Sequence, residues 1–109
     1  PMLSISARIE LATDDVATYI AGARKILEPT RAETGCELYA IAVDIVEPNV
    51  IWISEQWNTE KDLFAHLDTP HIVEFLAVCA TVTITDMQVI RYEVSSAGPF
   101  EIPEKLNDN

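Results

Sequence analysis

Apolar and polar residues alternate along the start of the chain: Leu3, Ile5, Ala7 and Ile9 are separated by Ser4, Ser6, Arg8 and Glu10. A period of two belongs to a strand with one buried face. The period changes after Thr13-Asp14-Asp15, a helix-start cluster with an N-cap candidate and first-turn acids. Val16, Ile20, Ala23 and Leu27 then recur at helical spacing, and Tyr19 and Ile26 widen the stripe. Pro29 falls inside this helix, removes one backbone hydrogen bond and crowds the preceding turn. The expectation is a kink there, with helix resuming towards Thr34 and stopping at Gly35.

Residues 36–46 read as a second strand and residues 50–58 as a third, joined through Glu47-Pro48-Asn49, so the pair forms a hairpin. Thr59 caps a short helix that Asp68-Thr69-Pro70 interrupts. Thr69 is placed to cap a further helix whose first residue is Pro70, with Ile72, Phe75, Leu76 and Cys79 as its inner face. Val73, Ala77, Val78 and Ala80 leave the other side of that helix with little polar surface. Residues 83–94 form the last strand, Gly98-Pro99 breaks it, and the rest is a tail. This order predicts an α+β, ferredoxin-like βαββαβ domain over residues 1–94, with a four-stranded antiparallel sheet and its helices on one face. Strands two and three are apolar on both sides. A second copy is therefore expected to cover the bare sheet face, giving a homodimer and a dimeric α+β barrel. Phe100 and Ile102 punctuate the polar tail, residues 95–109, which is expected to lie against the partner subunit.

Composition narrows the function. Eighteen acids against seven basic residues give a net charge of −11. That balance disfavours nucleic acid and anionic membrane surfaces, both of which are held by basic side chains. No apolar run approaches the roughly 18–20 residues of a membrane span. The first ten residues lack the plan of a signal peptide, so a cytoplasmic location is expected. Cys36 and Cys79 have no metal-type spacing and read as small buried thiols. Only three glycines occur, and none sits in a phosphate-binding loop.

Two stretches carry a resemblance. One is Glu33-Thr34-Gly35-Cys36-Glu37-Leu38-Tyr39. The other is Glu55-Gln56-Trp57, followed by Leu63-Phe64-Ala65-His66-Leu67-Asp68-Thr69-Pro70-His71. Together they resemble the antibiotic-biosynthesis-monooxygenase family, especially its quinol-monooxygenase-like members, over residues 2–92. The resemblance implies a dimeric barrel with a pocket between sheet and helices in each subunit. It also implies, for several members, oxygenation of a quinol, anthrone or similar small aromatic by molecular oxygen without metal, flavin or haem. Other relatives degrade haem or isomerise a small hydroxyketone phosphate. The haem-degrading relatives carry an Asn on the first strand, a Trp near position 66 and a haem-binding His late in the last helix, none of which this chain has. The isomerases share the run ending Thr-Pro-His, with Arg8 or Arg91 left to hold a phosphate. A non-enzymatic dimeric binding or stress domain is the further alternative.

His66 is the first catalytic candidate, because a neutral imidazole can take a proton from a phenolic hydroxyl. The alternative is a structural hydrogen bond to the third strand. His71, in the first turn of the next helix, is the second. The spacing leaves open whether both reach one pocket. Glu55 and Trp57 share one strand face by the period-two rule. Glu55 is costly there unless paired, with Arg8, Arg91 or His66 as candidate partners. Tyr39 is a candidate hydrogen-bond donor to a substrate, and Ser4 and Ser6 candidate pocket wall. Trp52 falls on the opposite face from Trp57 and is assigned to the dimer core. His66 and His71 across a helix break do not form a zinc spacing, and the pattern suggests no third ligand. The expectation is therefore no metal and no cofactor.

Overall fold

The computed structural model describes residues 1–107. Strand β1 (Met2–Leu11) leads through a 3-10 turn (Thr13–Asp15) into α1 (Val16–Arg31). Strands β2 (Cys36–Val43) and β3 (Val50–Trp57) follow, then α2 (Glu60–Leu67), α3 (Pro70–Cys79), β4 (Ile84–Val94) and a final short α4 (Glu104–Asn107). The four strands form one antiparallel sheet in the order β2-β3-β1-β4. This is the ferredoxin-like α+β layer expected from the pattern. The expected tail includes residues 108 and 109, which lie outside the described residues. Among the described residues, no helix is long and apolar enough to cross a membrane.

The alternation along β1 sets the layers. Leu3, Ile5, Ala7, Ile9 and Leu11 are buried under the helices, while the residues between them point to the other face. Register carries this division across the sheet. Leu3 pairs with Trp57 and Ile5 with Glu55 on the helix side, and Ser4 pairs with Gln56 and Arg8 with Trp52 on the opposite side. Helix α1 packs on α3 and β2. Tyr19 meets Phe75 edge-on at 5.2 Å, and a Cβ at Gly22 would press on Val78, so α1 and α3 approach closely at that glycine. Strand β4 stays exposed on both faces. The face away from the helices presents Leu38, Trp52, Ile90 and Tyr92 to solvent.

Several local expectations need correction. Helix α1 runs through Pro29 but ends at Arg31, three residues short of Thr34. None of the three start residues caps it through a side chain. Asp15 instead accepts a hydrogen bond from Thr83 N at 2.9 Å and ties the entry to β4 against the start of α1. Strand β2 stops at Val43, because Asp44 Oδ2 accepts from the backbone N–H groups of Val46 and Glu47 and turns the chain early. Ile45 and Val46 therefore lie exposed in the turn. Leu76 is exposed, and the inner face of α3 is Ile72 and Phe75 with Val78 and Cys79 packed beside them. Both cysteines are half-buried rather than buried.

Candidate functional site

Three segments distant in sequence converge beneath the helices. Helix α1 ends at Arg31, and Glu33 sits in the turn that follows. Its backbone is held on both sides: Glu33 N donates to Thr30 O at 3.0 Å, and Cys36 N donates to Glu33 O at 3.2 Å. Gly35 has φ +79°, a conformation that a side chain disfavours, and its carbonyl accepts from Asn58 N at 2.8 Å. Helix α2 is capped by Thr59, whose Oγ1 accepts from Asp62 N, and it buries Leu63 and, in its last turn, His66. The Thr69 hydroxyl does not cap α3. It donates to the carbonyl of His66 at 2.8 Å and pins the break between the two helices.

That break folds His71 back towards His66. Glu33 Oε2 lies 2.7 Å from His66 Nδ1 and 2.8 Å from His71 Nε2. The His66 side chain is 3% exposed, that of Glu33 13% and that of His71 21%. An ionised carboxylate only accepts, so each nitrogen facing it carries the hydrogen. Thr69 Oγ1, 3.3 Å from His71 Nε2, has spent its own hydrogen on the His66 carbonyl and can only accept there as well. Both tautomers follow from these partners. In the neutral rings His66 carries its proton on Nδ1 and His71 on Nε2, and His66 Nε2 then presents the free lone pair. Among the described residues that atom has no hydrogen-bond partner.

Aromatic rings fix the orientation of His66. Trp57 lies against it with centroids 4.7 Å apart and Tyr39 at 5.3 Å. The indole N–H of Trp57 donates to Glu55 Oε1 at 2.9 Å. Burial pushes the Glu55 carboxyl above the ordinary carboxylate range, against the opposing pull of the Trp57 bond and of His66. Burial likewise carries the Tyr39 hydroxyl well above the usual phenol range, with Glu55 adding to it, so Tyr39 is a donor and not a phenolate.

The raised Glu55 carboxyl has a stability consequence. The folded state binds its proton more tightly than the unfolded chain, so the stability this proton lends is complete below the unfolded value and is lost as pH rises through the folded one. Glu55→Gln, which keeps an acceptor for Trp57, is expected to melt higher than the parent at pH 7. The gain should vanish in acid, where both forms are neutral. Thermal melts across pH test this, and an equal or lower melting temperature at pH 7 would contradict it.

The remaining sequence candidates divide by face. Tyr39, Glu55 and Trp57 share the helix side with His66. Ser4 and Ser6 point to the opposite face and are not brought to this cluster. Glu55 does not meet either arginine. Arg8, on the opposite face, pairs with Glu47, Asp86 and Glu10, and Arg91 pairs with Glu60 and Glu93. Trp52 also lies on that opposite face, its indole donating to Asp44. The residue missed as a site candidate in the sequence is Glu33, although it opens the first of the two stretches that carry the family resemblance and stands two residues before the glycine that closes the turn after α1. It is also the third ligand-type side chain that the histidine spacing lacks. An apolar groove of about 390 Å³ opens between α1 and the β2–β3 hairpin, with Ile20, Leu27, Ile41 and Val43 in its walls and Arg24 at its side. Ile41 is the next inward position along β2 from Tyr39.

The model of the antibiotic biosynthesis monooxygenase family matches residues 2–78. The chain belongs to that family. A Bacillus subtilis relative described as "Putative monooxygenase YcnE" is 24% identical over 94 residues, covering 86% of this chain and 99% of its own. Among solved structures, Rv0793 from Mycobacterium tuberculosis matches with a TM-score of 0.82 at 19% identity, over 91% of this chain and 100% of that one. PA3566 from Pseudomonas aeruginosa matches with a TM-score of 0.79 at 22% identity, over 87% and 95%. These structural likenesses establish the fold, and the family match supports a monooxygenase-like activity.

Proposed function

We propose that this family member is a cytoplasmic monooxygenase that oxygenates a small aromatic with an acidic proton, a quinol or an anthrone, without a bound cofactor. The observation that carries the reading is the Glu33 carboxylate on His66 Nδ1, which leaves Nε2 as a proton acceptor beside two aromatic rings. His66 Nε2 takes the acidic proton of the substrate, from the hydroxyl of a quinol or the methylene of an anthrone, and Glu33 stabilises the imidazolium that forms. The resulting anion is electron-rich enough to pass electrons to oxygen directly. A carbon–oxygen bond forms, and the hydroperoxide then loses water. For an anthrone the methylene becomes a carbonyl, and one oxygen atom of O₂ leaves as water, so no external reductant is consumed. The groove between α1 and the hairpin supplies an apolar place for the ring system.

The phosphate-isomerase alternative is weakened by the same structure, because Arg8 and Arg91 are each engaged by carboxylates. The test is oxygen uptake by metal-stripped protein against a panel of quinols and anthrones. Uptake above the autoxidation blank supports the reading, and uptake equal to the blank across the panel counts against it. A second copy across the exposed sheet face, reached also by the tail, belongs to this proposal. Truncation after Val94 is expected to weaken dimerisation in sedimentation equilibrium, and an unchanged dissociation constant would refute the tail's part.

A further inference from the structure

We propose that Glu33, His66 and His71 also form a binding site for a divalent transition-metal ion, zinc being the model case, and that occupancy of this site switches the base off. The three side chains come from the turn after α1, from α2 and from α3, and their ligand-type atoms lie within 4.8 Å of one another. Two imidazoles and a carboxylate form a donor set that zinc accepts with a fourth position left open. The geometry is already arranged around one point. His66 Nδ1 and His71 Nε2 both aim at Glu33 Oε2, from 2.7 and 2.8 Å. An ion taking that point needs zinc–nitrogen distances of about 2.0–2.1 Å, so the carboxylate must withdraw by roughly 2 Å. Glu33 sits in a turn outside any helix or strand, and its side chain can swing without unwinding an element. Trp57 and Tyr39 pack against the His66 ring and fix its orientation. A chain of net charge −11 also draws cations towards itself.

The chemical consequence follows from the tautomers. A metal-bound imidazole must offer a lone pair at the ligating nitrogen. His66 therefore moves its hydrogen from Nδ1 to Nε2, and His71 moves its own from Nε2 to Nδ1. No proton is lost from either neutral ring, yet His66 Nε2 becomes a donor and stops being an acceptor. Metal and substrate proton are thus alternatives at one ring.

The test uses the full chain, stripped of metal and titrated with Zn²⁺ by calorimetry, with His71→Ala and Glu33→Gln alongside. One equivalent is expected to bind with micromolar or tighter affinity, weakened at least tenfold in each variant. Nitrogen-15 spectra should show His66 changing tautomer when zinc is added. His71 lies at the start of α3 and is partly exposed, so its removal should leave the fold intact by circular dichroism. No saturable binding overturns the proposal. So does binding of equal strength in His71→Ala, which would place the ion on the acidic surface, and so does an unchanged His66 tautomer. The titration needs no substrate, so it fails or succeeds independently of the oxygen-uptake assay.

Discussion

His66→Ala is expected to lower oxygen uptake by about two to four orders of magnitude, the usual contribution of a positioned general base. The loss should fall on turnover, because the apolar groove proposed to hold the rings is lined by other residues. Glu33→Gln probes the same step from the other side. A glutamine amide cannot stabilise the imidazolium, and its NH₂ group, if turned inward, would hold His66 in the wrong tautomer. Its rate should therefore fall as well, although the substituted side chain would touch no substrate. The histidine is packed against Trp57 and Tyr39, so thermal melts of both variants must accompany the rates. A Glu33→Gln protein that melts like the parent and turns over at the parental rate would remove Glu33 from the mechanism. A His66→Ala protein with parental turnover would remove the base itself.

Gly35→Ala is expected to cost the fold about 1–2 kcal/mol from the left-handed backbone alone. A further penalty is steric. The added Cβ would overlap the side chain of Asp62. Asp62 cannot simply step aside, because it shares two hydrogen bonds with Thr59, one of which caps α2. The substitution thus strains the end of one helix path and the beginning of another. For a domain near this size, 1 kcal/mol corresponds to a drop of roughly 4–8 °C in melting temperature. An alanine variant melting within a degree of the parent would show that the turn relaxes freely. Since Glu33 lies two residues away, the Gly35 variant should also lose activity beyond what its stability explains.

Most of the fold is legible in periodicity and punctuation. The alternation along β1 separates buried from outward residues as the structure does. Thr59 caps α2, and Thr69-Pro70 opens α3 at the expected positions. The departures come from interactions that a local pattern does not carry. Ile45 and Val46 look like a strand continuing, but the Asp44 side chain satisfies two backbone donors and ends it. Asp15 looks like a cap and instead holds the amide of Thr83. Ser4 and Ser6 do share one face of β1, but periodicity assigns residues to a face without saying which face carries the site. His66, His71, Tyr39, Glu55 and Trp57 stand out by residue type and motif. Glu33 opens one of the quoted stretches, but nothing in its residue type or local pattern marks it as the partner of two histidines until the chain closes around it.

That closure bears on how the protein comes into being. Glu33 stands 33 positions from His66 and 38 from His71. Bringing them together closes a loop that contains the hairpin and α2, and the entropy of closing that loop is recovered only in the packed state. A nascent or half-folded chain therefore holds two ordinary histidines and an ordinary glutamate. The oriented imidazole is thus a property of the packed fold and not of any one segment of the chain.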